Sequence, residues 1–157
     1  MNVHIRWLVT RDFPEVLRIE NTFEFPWDLD DFKRELRERN VVAMVAEHDE
    51  QVVGYMVYEL HKTAIEVLNF AVRADCRRQG VGTAMVDKLK GKLAMHRRTC
   101  LRLAVCDRNL DAQLFWRSMG FRAVTVMHNY YPLQPNEVAY QFVYQYQDAP
   151  LSVRVAT

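Results

Sequence analysis

Between Cys76 and Met85 the chain reads CRRQGVGTAM. Two arginines and a glutamine precede two glycines spaced one residue apart, and a helical apolar pattern follows. This combination suits an anion. Gly80 and Gly82 let the backbone come close to a bound group. The N–H groups of Arg78, Gln79, Gly80, Val81, Gly82 and Thr83 can converge at a helix start, where the dipole favours negative charge. Arg77 and Arg78 add charge-assisted contacts. Two familiar phosphate loops fit poorly. A P-loop needs Lys and then Ser or Thr after its second glycine, whereas Thr83 and Ala84 follow Gly82. A dinucleotide fingerprint needs a small residue where Met85 stands, and it opens the first strand–helix unit. A pyrophosphate cradle remains. A bare G-x-G equally suits a tight turn with solvated arginines, so the surrounding elements have to decide.

Those elements read in a clear order. VHIRWLV alternates and predicts a strand. TRDFPEVLRIENTF predicts a helix, with Pro14 suited to its first turn. Pro26 breaks it, since Phe25 is pushed out of helical geometry. DLDDFKRELRERN restarts a helix whose early acids and late bases match the dipole. VVAMVAE, a polar turn HDEQ and VVGYMVYEL read as a hairpin. TAIEVLNFAV is a further strand leading into the glycine loop. GVGTAMVDKLKGKLAM is helical, with Val81, Met85, Leu89 and Leu93 on one face. CLRLAVC is a strand, NLDAQLFWRSMG a helix closed by Gly120, and FRAVTVMHNYY a strand. PLQPNE turns, and VAYQFVYQYQ alternates as a last strand. The order β-α-α-β-β-β-α-β-α-β-β predicts an α/β fold with a mixed sheet and helices on both faces.

Bulk properties narrow the function. The chain has 157 residues, half of them hydrophobic and 26% charged, which predicts a single globular domain over 1–157. A formal net charge of +1 gives no overall field for nucleic acid or a membrane surface. Three cysteines without C-x-x-C spacing argue against a disulfide framework and for a reducing, cytoplasmic compartment. Scattered histidines argue against a metal site. No apolar run reaches signal-peptide or membrane-span length.

The flanks decide the loop. RRQGVG matches the Q/R-x-x-G-x-G/A motif of the GNAT N-acetyltransferases, and the element order is theirs too. IENTFEFPW, LNFAV, CRRQGVGTAMVDKL, RN, SMGF and HNYYP follow the order and spacing seen in the ribosomal-protein-alanine and related N-terminal acetyltransferases. The chain therefore resembles that amino-terminal branch from about Val3 to Tyr146. The resemblance implies a mostly antiparallel mixed sheet splayed between its fourth and fifth strands. It implies acetyl-CoA as cosubstrate and no metal. Phe70, Ala71 and Val72 would pair with pantetheine in the manner of an added strand, and one of their N–H groups would polarise the thioester carbonyl. Residues Arg77 to Thr83 would hold the pyrophosphate. Asn109 would contact the cofactor arm, a role compatible with capping the next helix.

Two family residues are missing. The bacterial alanine acetyltransferases carry a glutamate base in the fifth strand, where Ala104 stands here. They carry a tyrosine acid in the following helix, where Trp116 stands here. An indole N–H donates but does not release a proton at these pH values. The acceptor sets the cost. An α-amine has a pKa near ~8 and lysine near ~10.4, so a missing base costs roughly 1.4 kcal/mol for the first and over ~4 kcal/mol for the second. A protein N-terminus is thus the expected acceptor, with a small amine as the alternative. A non-catalytic acyl-CoA-binding module is the reading of a different class. Glu24 and Tyr131 are the catalytic candidates, and Phe25, Trp27 and Tyr130 the candidates for the acceptor groove. Glu24 is otherwise a solvated loop acid, and Phe25 and Trp27 otherwise pack around the helix break. His128 and Cys106 are read as structural.

Overall fold

The computed structural model describes residues 1–131 and 136–146. The turn expected over PLQPNE and the tail after Tyr146 fall partly or wholly outside these residues. The described elements are β1 (His4–Trp7), α1 (Phe13–Glu20), α2 (Leu29–Leu36), β2 (Val41–His48), β3 (Gln51–Leu60), β4 (Ala64–Val72), α3 (Val81–Lys90), β5 (Cys100–Cys106), α4 (Leu110–Ser118), β6 (Arg122–Met127) and β7 (Ala139–Gln145). This is the order expected from the sequence. The strand order is β1-β2-β3-β4-β5-β7-β6. The β1–β2, β2–β3, β5–β7 and β6–β7 pairs are antiparallel, and β4–β5 is parallel. The β4–β5 ladder joins Ala64, Ile65 and Glu66 to Cys100, Leu101 and Arg102.

The described residues form two compact units, one of Met1–Leu60 with Leu68–Lys88, the other of His61–Val67 with the described residues from Leu89 onward. In the first, α1 and α2 lay Val16, Ile19 and Phe32 on a sheet face of Val41, Ala43, Val45, Val57 and Tyr55. Burying such side chains contributes about 1.5–3 kcal/mol each. Asp28 caps α2: its carboxylate accepts from the Asp31 N–H at 2.8 Å, and Asp31 accepts from the Asp28 N–H at 2.9 Å. The β2–β3 hairpin turns on Asp49 and Glu50, both left-handed (φ 49° and 63°), as a two-residue turn requires. Buried Asp12 takes two bonds from Arg6 (2.8 and 2.9 Å) and one from the Val9 N–H. These hold its carboxyl below the usual range.

In the second unit Leu101, Leu103 and Val105 are buried and Arg102, Ala104 and Cys106 alternate with them. Trp116 stacks edge-on to Phe121 at 4.9 Å. Gly120 stands just past α4 with φ 91°, and a Cβ there would lie 3.3 Å from the Tyr144 ring. Two expected boundaries move. α3 ends at Lys90 because Gly91 follows, so Leu93 is buried outside the helix. β6 ends at Met127, and left-handed Asn129 (φ 60°) turns the chain before Tyr130 and Tyr131.

Candidate active site

In the first unit β4 runs straight into the glycine loop. Ala74–Cys76 make one 3-10 turn with Cys76 buried, and a turn over residues 77–80 follows. Arg78 (φ 60°) and Gly80 (φ 87°) are both left-handed. Alternating hands turn successive N–H groups to one side and make an anion-binding concavity. No heavy atom lies within 4 Å of where a Gly80 Cβ would be, so glycine serves the backbone angle there. The first intrahelical bond of α3 runs from the Ala84 N–H to Gly80 at 3.0 Å. The amides of Val81, Gly82 and Thr83 come before it, at the positive end of the helix dipole. Arg77, Arg78 and Gln79 are exposed. The loop is braced from within: Arg77 Nε donates to the Val72 carbonyl at 3.2 Å and Gln79 Nε2 to the Asp75 carbonyl at 3.0 Å.

The same unit holds the segment between α1 and α2. Phe25 is 51% exposed, and Glu24 is exposed beside it. Trp27 is half-buried, its ring edge-on to Phe32 at 5.1 Å. Phe70 and Val72 are half-buried on β4 and Ala71 is buried between them.

Sequence reasoning missed Gly54. A Cβ at this β3 position would stand 3.0 Å from the Ala71 carbonyl and 3.0 Å from Met85 Sδ. Glycine is thus what lets β4 and α3 close on β3. An isolated glycine inside a strand pattern is the signal for such close approach.

In the second unit Asn109 caps α4, its Oδ1 accepting from the Ala112 N–H at 3.1 Å. Ala104 is half-buried opposite Gln141 of β7. Trp116 is 4% exposed and committed to the aromatic core. Tyr130 and Tyr131 pack edge-to-face at 4.9 Å. Burial, then the charges of Cys106, Tyr130 and Glu137, push the Tyr131 phenol up to about 12. It is therefore a hydrogen-bond donor throughout the neutral range and not a ready source of a free proton. Glu137 accepts from Cys106 Sγ at 3.3 Å and pairs with Arg108 at 3.0 Å.

A strand that ends in a doubly left-handed loop, with arginines ahead of a helix start, makes a cradle suited to an anion. Residues 3–121 match the Acetyltransferase (GNAT) family, and the chain belongs to it. Among known proteins, the chain is 29% identical over 126 residues to the [ribosomal protein bS18]-alanine N-acetyltransferase of Escherichia coli K12, covering 80% of this chain and 84% of that one. The crystal structure of the E. coli ribosomal-protein-S18-alanine N-acetyltransferase superposes with a TM-score of 0.80 at 25% identity, covering 95% and 97% of the two chains. Ard1 from Thermoplasma volcanium gives 0.77 at 27% identity, over 92% and 98%. The protein is thus a GNAT-type N-acetyltransferase.

Proposed function

We propose that the protein transfers the acetyl group of acetyl-CoA to the α-amine of a protein N-terminus. The observation that carries the donor side is the loop from Arg77 to Thr83, where left-handed Arg78 and Gly80 bring amides to a helix start. Its chemistry fits a pyrophosphate, with Arg77 and Arg78 placed to add charge. The relatives named above as alanine N-acetyltransferases support the acceptor class. Three reduced thiols, Cys76, Cys100 and Cys106, suit the cytoplasm. Among the described residues no helix is long and apolar enough to cross a membrane.

Acetyl-CoA supplies the activated thioester. Phe70, Ala71 and Val72 offer backbone groups to its pantetheine arm, one N–H polarising the carbonyl as charge develops. The family resemblance also assigns a cofactor contact to Asn109, which caps α4. The family resemblance assigns Phe25 and Trp27, and separately Tyr130, to binding of the acceptor chain. The amine attacks in its neutral form, the C–N bond forms and the C–S bond breaks. Glu24 takes the proton that the amine sheds, through a water. Tyr131, held protonated, donates a hydrogen bond to the departing thiolate, whose ordinary pKa near ~8.5 lets it leave without a full proton transfer.

Two peptides test this by mass spectrometry, one with a free N-terminus and one N-blocked with an internal lysine. Acetylation of the first is expected. Preferential labelling of the blocked peptide overturns the α-amine assignment, and binding of acetyl-CoA with no transfer points to an acyl-CoA-binding module.

A further inference from the structure

Glu20 is the carboxylate to which the reading above gives no task. It closes α1, is 3% exposed, and three neutral groups donate to it. The Tyr55 hydroxyl of β3 donates to Oε2 in a short contact. Asn69 Nδ2 of β4 donates to the same oxygen at 3.1 Å. The Trp27 N–H donates to Oε1 at 3.0 Å. A second tie runs through the backbone, where the Phe23 N–H donates to the Glu20 carbonyl at 3.0 Å. Residues Glu24, Phe25 and Pro26 therefore lie inside a loop closed at both ends on one residue. The same carboxylate fastens that loop to Asn69, the neighbour of Phe70 on β4.

Burying a carboxyl group is expensive, and a well-packed apolar side chain would hold the elements together at lower cost. What the carboxylate adds is direction. It presents two oxygens that must meet donors from three separate elements, so loop, β3 and β4 are fixed in one geometry.

We propose that Glu20 is a positioning residue that clamps the acceptor loop 23–27 onto β4. The proposal rests on the reading of Glu24 and Phe25 as acceptor-side and of β4 as donor-side. Glu20 acts through the Trp27 amide and Asn69 and does not touch the reacting atoms. Its loss leaves the donor loop intact, because Arg77 and Gln79 brace that loop on the Val72 and Asp75 carbonyls.

The test uses the full chain with Glu20→Ala, Glu20→Gln and Tyr55→Phe. An alanine-starting peptide is the acceptor. For Glu20→Ala, kcat/KM toward the peptide should fall on the order of 100-fold, the scale of a misplaced reacting group. Acetyl-CoA affinity by calorimetry should stay within about twofold, and amide exchange should speed up over 23–27 but not over 76–83. Glutamine can still accept from Trp27 and donate to Tyr55, so Glu20→Gln should recover most of the loss, to within about 10-fold of the parent. Should Glu20→Ala not fold, Tyr55→Phe keeps the ring, removes one donor and should shift the peptide KM and loop exchange in the same direction. Unchanged peptide kinetics with unchanged exchange in a folded variant overturns the clamp. So does acetyl-CoA affinity falling in step with peptide turnover, since Glu20 would then merely support the sheet. Loop exchange that responds as expected, in a parent that acetylates no peptide, overturns the functional reading and leaves the clamp standing.

Discussion

The donor loop of the first unit and the β5–α4 segment of the second have fared differently. The loop has the parts that the proposed pyrophosphate cradle calls for, and most of them are backbone: amides at Arg78 to Thr83, a left-handed Gly80, a helix start. The β5–α4 segment lacks both side chains that the resemblance calls for, with Ala104 on the half-buried face of β5 and Trp116 sunk in an aromatic core. A site made of backbone survives sequence drift as long as a few glycines persist. A site made of side chains is lost one substitution at a time, and the acceptor decides whether the loss is tolerable. An α-amine is about one-tenth neutral at pH 7, so it forgives a missing base where lysine does not.

The contrast is sharpest if the loop is broken directly. Gly82→Val should weaken acetyl-CoA binding on the order of 100-fold, about 2.7 kcal/mol, by crowding the cradle at the first turn of α3. Native affinity by calorimetry would remove the cradle from the account. The opposite manipulation restores the other region. Ala104→Glu with Trp116→Tyr should raise turnover on an α-amine peptide by about 100-fold, the lower end of general acid–base help. A folded, acetyl-CoA-binding double variant no faster than the parent would show that catalysis runs without these two positions. Gly54→Ala sits between the regions in effect. Its Cβ would meet the Ala71 carbonyl at 3.0 Å, and a loss of about 1–3 kcal/mol by denaturant unfolding is expected from such overpacking. Arg77→Ala should be smallest, a few-fold loss of affinity that salt diminishes, since exposed charge contributes roughly 0–1 kcal/mol.

How much of this was legible in the chain follows the same division. The order of elements, the C-terminal glycine of α4 and the alternation that puts Ala104 opposite Leu103 and Val105 all follow from local periodicity and turn chemistry. The glycine loop was legible because its residues are contiguous. Gly54 offered only the hint of an isolated glycine in a strand pattern, since the groups it makes room for, Ala71 and Met85, lie far along the chain and come near only by folding. Glu20 left a trace that was passed over: it stands four residues after Val16 and beside Ile19, on the apolar face of α1, where a solvated glutamate has no place. The early end of α3 shows a helical pattern carried on to Leu93 although Gly91 stops the helix itself.

The central claim is that the acceptor amine arrives neutral, so that Glu24 receives a proton only after the amine has attacked. The pH dependence of kcat/KM for two peptides with different α-amine pKa values tests it most directly. The rate should rise tenfold per pH unit up to a break near ~8, and the break should move with the peptide. A break at lower pH that stays fixed when the peptide is changed would mean that a side chain of the protein deprotonates the amine before it attacks, contradicting the account.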